Sequence, residues 1–213
     1  MSNLARLIDH TNLKQDTKKS EIITLSEEAV KLGFASICVN PVHIEIACSV
    51  LKDETPKVGT VIGFPLGADS AEMKYAEARY LIHQGAEELD MVVNIGALKQ
   101  GETNILSKEI ARVVDAADGH CVKVIIETCL LTKEEKILAS TIAKDQGADF
   151  VKTSTGFSTG GATTDDIRLI RKTVGKEMGI KASGGIRTLL DIEVMVKAGA
   201  NRIGTSNGVQ IFS

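Results

Sequence analysis

Short apolar runs and amphipathic stretches alternate along this chain from end to end. Eight apolar runs bounded by turn residues read as strands, over 8–13, 35–39, 58–64, 88–93, 122–128, 149–155, 179–183 and 202–205. Between them, apolar positions recurring every three to four residues predict helices over 20–32, 71–84, 105–116, 133–146, 164–174 and 188–197. Several of these open on capping residues, as in Thr132-Lys133-Glu134-Glu135 and Thr163-Thr164-Asp165-Asp166. Four times a helical pattern stops at a glycine and an apolar run follows, at Gly33, Gly85, Gly147 and Gly199. Glycine just past a helix end supplies the left-handed residue that closes it, and the recurrence marks a repeated strand–helix unit.

Continuous strand–helix alternation implies a parallel sheet. Eight strands with seven or eight helices is the count of a (β/α)8 TIM barrel, and we expect one such α/β domain over residues 1–213, with a short C-terminal end. The chain is short against the ~250 residues typical of that fold, so its loops must be tight. A doubly wound open sheet is the alternative, but no glycine-rich dinucleotide fingerprint follows the first strand.

Composition narrows the partners. Charged residues make up 25% of 213 and the formal net charge is −3, with no basic run and no aromatic interleaving. Nucleic acid is therefore not an expected partner. No apolar stretch approaches the ~18 residues that span a bilayer, and the first residues lack a signal-peptide pattern, so a cytoplasmic protein without a membrane partner is expected. Cys38, Cys48, Cys121 and Cys129 form no C-x-x-C pair and read as small hydrophobes. His10, His43, His83 and His120 show no metal-ligand spacing, and a structural role is expected for His10.

The chemistry is carried by strand ends, where barrels of this kind gather their active residues. There stand Asp90, Glu127, Lys152 and Lys181. Lys152 and Lys181 lie in apolar runs just ahead of glycine-rich turns, and an ammonium is rarely buried without a partner. Desolvation and a neighbouring positive charge both favour the neutral amine, which attacks carbonyls to form Schiff bases. Taking a lysine from ~10.4 to the ~7–8 of a useful nucleophile requires roughly 4 kcal/mol of differential destabilisation. Asp90 is suited to shuttle protons and to keep one lysine charged while the other is neutral. The competing reading is that both lysines merely pair with carboxylates such as Asp90 or Glu127. Lys123 opens its run instead of closing it, and is expected to snorkel at the opposite face with no role.

The turns after the last three strands suggest a phosphorylated ligand. Thr155 and Gly156, Gly184 and Gly185, and Gly204, Ser206 and Asn207 lie in turns whose backbone N–H groups can converge on an anion. Late loops are where barrels commonly hold phosphate. Arg187 follows one of these turns and is either an assistant or a surface residue.

The segments Phe150-Val151-Lys152-Thr153-Ser154-Thr155-Gly156-Phe157, Lys181-Ala182-Ser183-Gly184-Gly185-Ile186-Arg187, Glu88-Leu89-Asp90-Met91-Val92-Val93-Asn94 and Val124-Ile125-Ile126-Glu127-Thr128 closely resemble the deoxyribose-phosphate aldolase family. The resemblance runs over about 8–208. It implies a metal-free, cofactor-free class I aldolase (a lyase of deoxyribose phosphate catabolism and carbohydrate degradation) on a (β/α)8 barrel. The family reversibly cleaves 2-deoxy-D-ribose 5-phosphate to D-glyceraldehyde 3-phosphate and acetaldehyde. By that resemblance Lys152 forms the Schiff base, Asp90 and Lys181 transfer protons, and Asp9, Thr11 and Cys38 line the pocket or hydrogen-bond within it. Some members carry lysine where this chain has Phe157, and some carry a C-terminal tyrosine tail, whereas this chain stops at Gln210-Ile211-Phe212-Ser213. A homo-oligomer, dimer or tetramer, is expected. Two readings outside the family remain open: a Schiff-base lyase for another phosphorylated carbonyl compound, and a barrel that only binds a phosphorylated ligand. Spacing alone treats Lys152 and Lys181 alike.

Overall fold

Each strand of this chain pairs in parallel with the next, and the last pairs with the first. The computed structural model describes residues 2–213, with side chains from Leu4 onward. In order the elements are α1 (Ser2–Ala5), β1 (Ile8–Asn12), α2 (Lys19–Leu32), β2 (Ser36–Val39), α3 (Ile44–Val50), β3 (Lys57–Ile62), α4 (Ala71–His83), β4 (Glu88–Val92), α5 (Ile95–Lys99), α6 (Thr103–Ala117), β5 (Cys121–Ile125), α7 (Lys133–Asp145), β6 (Phe150–Lys152), α8 (Thr164–Val174), β7 (Gly179–Ser183), α9 (Leu189–Ala198), β8 (Arg202–Thr205) and α10 (Gly208–Phe212). The strands close in sequence order into one eight-stranded barrel, sealed by the β1–β8 pairing in which Asp9 lies opposite Gly204. This is the (β/α)8 barrel that the alternation implies. Among the described residues, no helix is long and apolar enough to cross a membrane.

Local chemistry explains the elements. The Thr132, Thr163 and Thr188 side chains accept hydrogen bonds from the N–H groups of Glu135, Asp166 and Asp191, starting α7, α8 and α9. Two of these are capping boxes, completed by Glu135 and Asp191. The main apolar core lies between strands and helices, where Ile8, Ile37, Leu89, Val124, Val151, Ile180 and Ile203 are buried from the strands and Ile22, Ile110, Ile167 and Ile192 from the helices. Side chains alternate along a strand, so the intervening residues point into the barrel. At the floor, a Cβ on Gly179 would lie 2.2 Å from Cδ1 of Phe150, so only glycine leaves room for that ring.

Four helices escape the periodicity of the sequence. α1, α3, α5 and α10 span four, seven, five and five residues, too few for a 3.6-residue pattern to rise above its surroundings. Strand runs also end earlier than expected at their carboxyl ends, at Ile125 instead of 128 and at Lys152 instead of 155. The residues beyond continue into loops, from which Thr155 reaches the cavity at the carboxyl ends of the strands while Ile126 joins the core.

Candidate active site

The barrel interior holds a continuous network of charge. Register sets Asp90 opposite Lys123, Lys152 opposite Lys181, and Lys181 opposite Arg202. The Asp90 carboxylate is shared: Oδ1 accepts from Lys123 Nζ at 2.9 Å, while Oδ2 accepts from Lys152 Nζ at 2.8 Å and Lys181 Nζ at 2.7 Å. Asp9 Oδ2 pairs with Lys181 at 2.5 Å, and Lys123 reaches Glu88 at 2.7 Å. Arg202 closes the lower end by bridging Asp9 and Glu88. Three carboxylates thus face four cationic side chains.

Of the residues expected at strand ends, Lys152 does end β6, but Asp90 and Lys181 are the central residues of β4 and β7, and the two lysines part company here. Burial lowers the Lys152 pKa below the usual lysine value, and the Lys181 charge adds to this, while Asp90 alone among carboxylates opposes it. Burial also disfavours the Lys181 ammonium, but Asp9 and Asp90 together outweigh it and raise the pKa above the usual value. Asp90 is held well below the carboxylate range: burial works against this, and Lys123, Lys152 and Lys181 overcome it. Burial raises the Cys38 thiol, with the Asp90 charge adding to the effect, and its Sγ lies 4.0 Å from Asp90 Oδ2.

Above the network a cavity of about 630 Å³ opens at the carboxyl ends of the strands. Of the two lysines, Lys152 lines it and Lys181 does not. Thr155, Gly156, Gly184, Gly185, Arg187, Gly204, Ser206 and Asn207 all line the cavity, as does Thr11. Asp9 and Cys38 are buried and do not line it. Among the described residues, the N–H groups of Gly156, Gly184, Gly185 and Ser206 have no intramolecular acceptor, which leaves four donors unspent around the cavity. The turns interlock closely: a Cβ on Gly161 would lie 2.2 Å from the Gly184 carbonyl oxygen, and Gly184 itself sits at φ 84°. His10 lies outside the network, buried against Phe34 with Nε2 2.9 Å from Glu28.

One expectation fails. Lys123 does not snorkel to the far face; it is 1% exposed and bonded to Asp90 and Glu88 inside the barrel. β5 begins at Cys121, so Lys123 is a central, inward residue. Glu88 and Arg202 were not singled out by the sequence either. The available signal was the two-residue alternation, which puts Glu88 with Asp90 on one strand and Arg202 with Gly204 on another.

The family model described as DeoC/LacD family aldolase matches residues 4–213. A deoxyribose-phosphate aldolase of Listeria welshimeri is 57% identical over 211 residues, covering 99% of this chain and 95% of the relative. One from Thermococcus gammatolerans is 56% identical over 213 residues, covering 98% and 95%. The solved structure "QR15, an Aldolase" superposes with a TM-score of 0.95 at 39% identity, over 99% of this chain and 95% of that one. The tetrameric deoxyribose phosphate aldolase of Aeropyrum pernix superposes with a TM-score of 0.93 at 34% identity, over 99% and 90%.

Proposed function

We propose, from the premise that this chain belongs to the DeoC/LacD family and is an aldolase, that it reversibly cleaves 2-deoxy-D-ribose 5-phosphate to D-glyceraldehyde 3-phosphate and acetaldehyde through a Schiff base on Lys152. The observation that carries the assignment is the asymmetry of the lysines. Lys152 faces the cavity and is the easier to deprotonate, whereas Lys181 is clamped by two carboxylates and stays charged.

The chemistry follows from that asymmetry. Neutral Lys152 Nζ attacks C1 of the open-chain sugar, and the carbinolamine loses water to give a cationic iminium. The C3 hydroxyl then gives up its proton as the C2–C3 electron pair moves to C1–C2 and neutralises the nitrogen. D-Glyceraldehyde 3-phosphate leaves, an enamine remains, and protonation at C2 followed by hydrolysis frees acetaldehyde and Lys152. Asp90 Oδ2 touches both Nζ atoms, so a proton can pass among amine, carboxylate and Lys181 over hydrogen-bond distances. The unspent donors of Gly156, Gly184, Gly185 and Ser206 suit a 5-phosphate, with Arg187 at the rim. Holding the phosphate there fixes the sugar's reach to Lys152. We further propose an oligomeric enzyme, in line with the tetrameric relative from Aeropyrum pernix, which light scattering tests directly.

The deciding experiment is borohydride reduction in the presence of 2-deoxyribose 5-phosphate, followed by peptide mapping. A reduced adduct on Lys152 is expected. An adduct on Lys181 would reverse the roles, and phosphate-ligand binding with no adduct would make the barrel a binder.

A further inference from the structure

Glu127 stands at the mouth in a way the lysine chemistry does not call for. It follows β5 at φ 53°, a left-handed conformation that a non-glycine residue holds only when its surroundings over-determine it. Its side chain is 3% exposed, and no cation lies within ion-pairing distance among the described residues. A buried carboxylate without a cation is costly unless hydrogen bonds satisfy it. Here one residue does so: the Thr155 N–H donates to Oε1 and Oε2 at 3.2 and 3.3 Å, and the Thr155 hydroxyl donates to Oε2. The Thr155 hydroxyl oxygen accepts in turn from the Phe157 N–H at 3.1 Å. The flanking backbones are zipped together as well, with Ile126 N–H donating to the Lys152 carbonyl at 3.1 Å and Thr128 N–H to the Thr153 carbonyl at 2.9 Å.

Two consequences follow for the anion loop. Both donors of Thr155 are committed to Glu127, so neither is free for a phosphate. Between the two fixed residues 155 and 157 lies Gly156, at φ 86°, with its N–H unspent and lining the cavity. We infer that Glu127 is a positioning residue for substrate phosphate, acting through Thr155 to aim the Gly156 N–H into the cavity. The inference rests on the reading of the cavity as a sugar-phosphate site, and it concerns discrimination for the phosphate, not carbon–carbon cleavage.

The test compares 2-deoxyribose 5-phosphate with unphosphorylated 2-deoxyribose in Glu127→Gln, Thr155→Val and Thr155→Ser. Glutamine keeps the shape but loses the charge that strengthens these bonds. Expected is a fall of about tenfold in the ratio of kcat/KM between the two sugars for Glu127→Gln and Thr155→Val, the scale of one charge-assisted hydrogen bond. The loss should reside in KM, with near-complete recovery in Thr155→Ser. Borohydride trapping of acetaldehyde on Lys152 should keep its wild-type yield. An unchanged ratio, or an equal loss with both sugars, overturns the inference. If Glu127→Gln does not fold, Thr155→Val and Thr155→Ser decide by the same criteria. Failure of the parent reading is distinguishable: wild-type protein would then trap no acetaldehyde, and the inference would be judged by calorimetric binding of inorganic phosphate, weakened in the variants if correct and unchanged if not.

Discussion

The β6 and β7 arms of this barrel carry the same parts and use them differently. Each carries an inward lysine, at the end of β6 and at the centre of β7, and continues into a glycine-bearing turn, and the two lysines sit side by side in register. Yet Lys152 has one carboxylate and a cavity before it, while Lys181 has two carboxylates and no opening. Residue type and strand position therefore do not assign a catalytic lysine. What separates the two is the number of anions within reach of each Nζ.

The largest effect should come from the β6 arm. Lys152→Arg keeps the charge but removes the nucleophile, and should lower turnover by at least about 10³-fold and abolish borohydride trapping. A comparable adduct in this variant would mean that the two arms are interchangeable. Asp90→Asn removes the carboxylate both arms share and leaves Lys152 beside the Lys181 charge. It should cost about 10²–10⁴-fold in kcat, with destabilisation on the scale of about 3–5 kcal/mol for uncompensated buried charge, read by denaturant unfolding.

The pH dependence sharpens the contrast. Lys152 is depressed below 10.5 and Lys181 raised above it, so kcat/KM should rise as Lys152 deprotonates below 10.5 and fall only where Lys181 deprotonates above it. The stability signs are opposite. A lysine depressed on folding binds fewer protons folded than unfolded, so its unfavourable contribution eases as pH rises toward 10.5. A lysine raised on folding stabilises fully below 10.5 and loses that contribution as pH climbs through its folded pKa. Asp9→Asn takes one anion from Lys181 and should draw the basic limb down by about 1–3 pH units, while the acidic limb stays close to its place. The smallest effect tests where the arms touch. Gly161→Ala would push a methyl into the Gly184 carbonyl, costing about 1–3 kcal/mol of stability, with weaker phosphate-ligand binding and unchanged acetaldehyde trapping.

Most of the architecture could be read from the chain because a parallel barrel repeats one unit, and glycine stops such as Gly85 and Gly147 punctuate it. Asp90, Lys152 and Lys181 were legible as charged residues within apolar runs. Lys123 was misread because its strand was begun one residue late and carried three residues too far, which turned a central position into an edge. Arg202 and Asp9 are separated by 193 positions, and only closure of β8 onto β1 joins them; no local pattern announces such a pair. The Glu127–Thr155 clamp was hidden for another reason. It depends on a left-handed residue, and glutamate gives no hint of that conformation.

The unequal network of three carboxylates and four cations bears on the energy of the proposed reaction. With Lys152 neutral, the interior is electrically even. In the proposed mechanism, an iminium on Lys152 would bring the fourth positive charge back to a buried site where it is disfavoured, and release of the C2–C3 electron pair onto that nitrogen would remove it again. The burial that eases loss of the amine's proton would thus also drive the bond to break, so a single imbalance fixed by the fold would serve two successive steps.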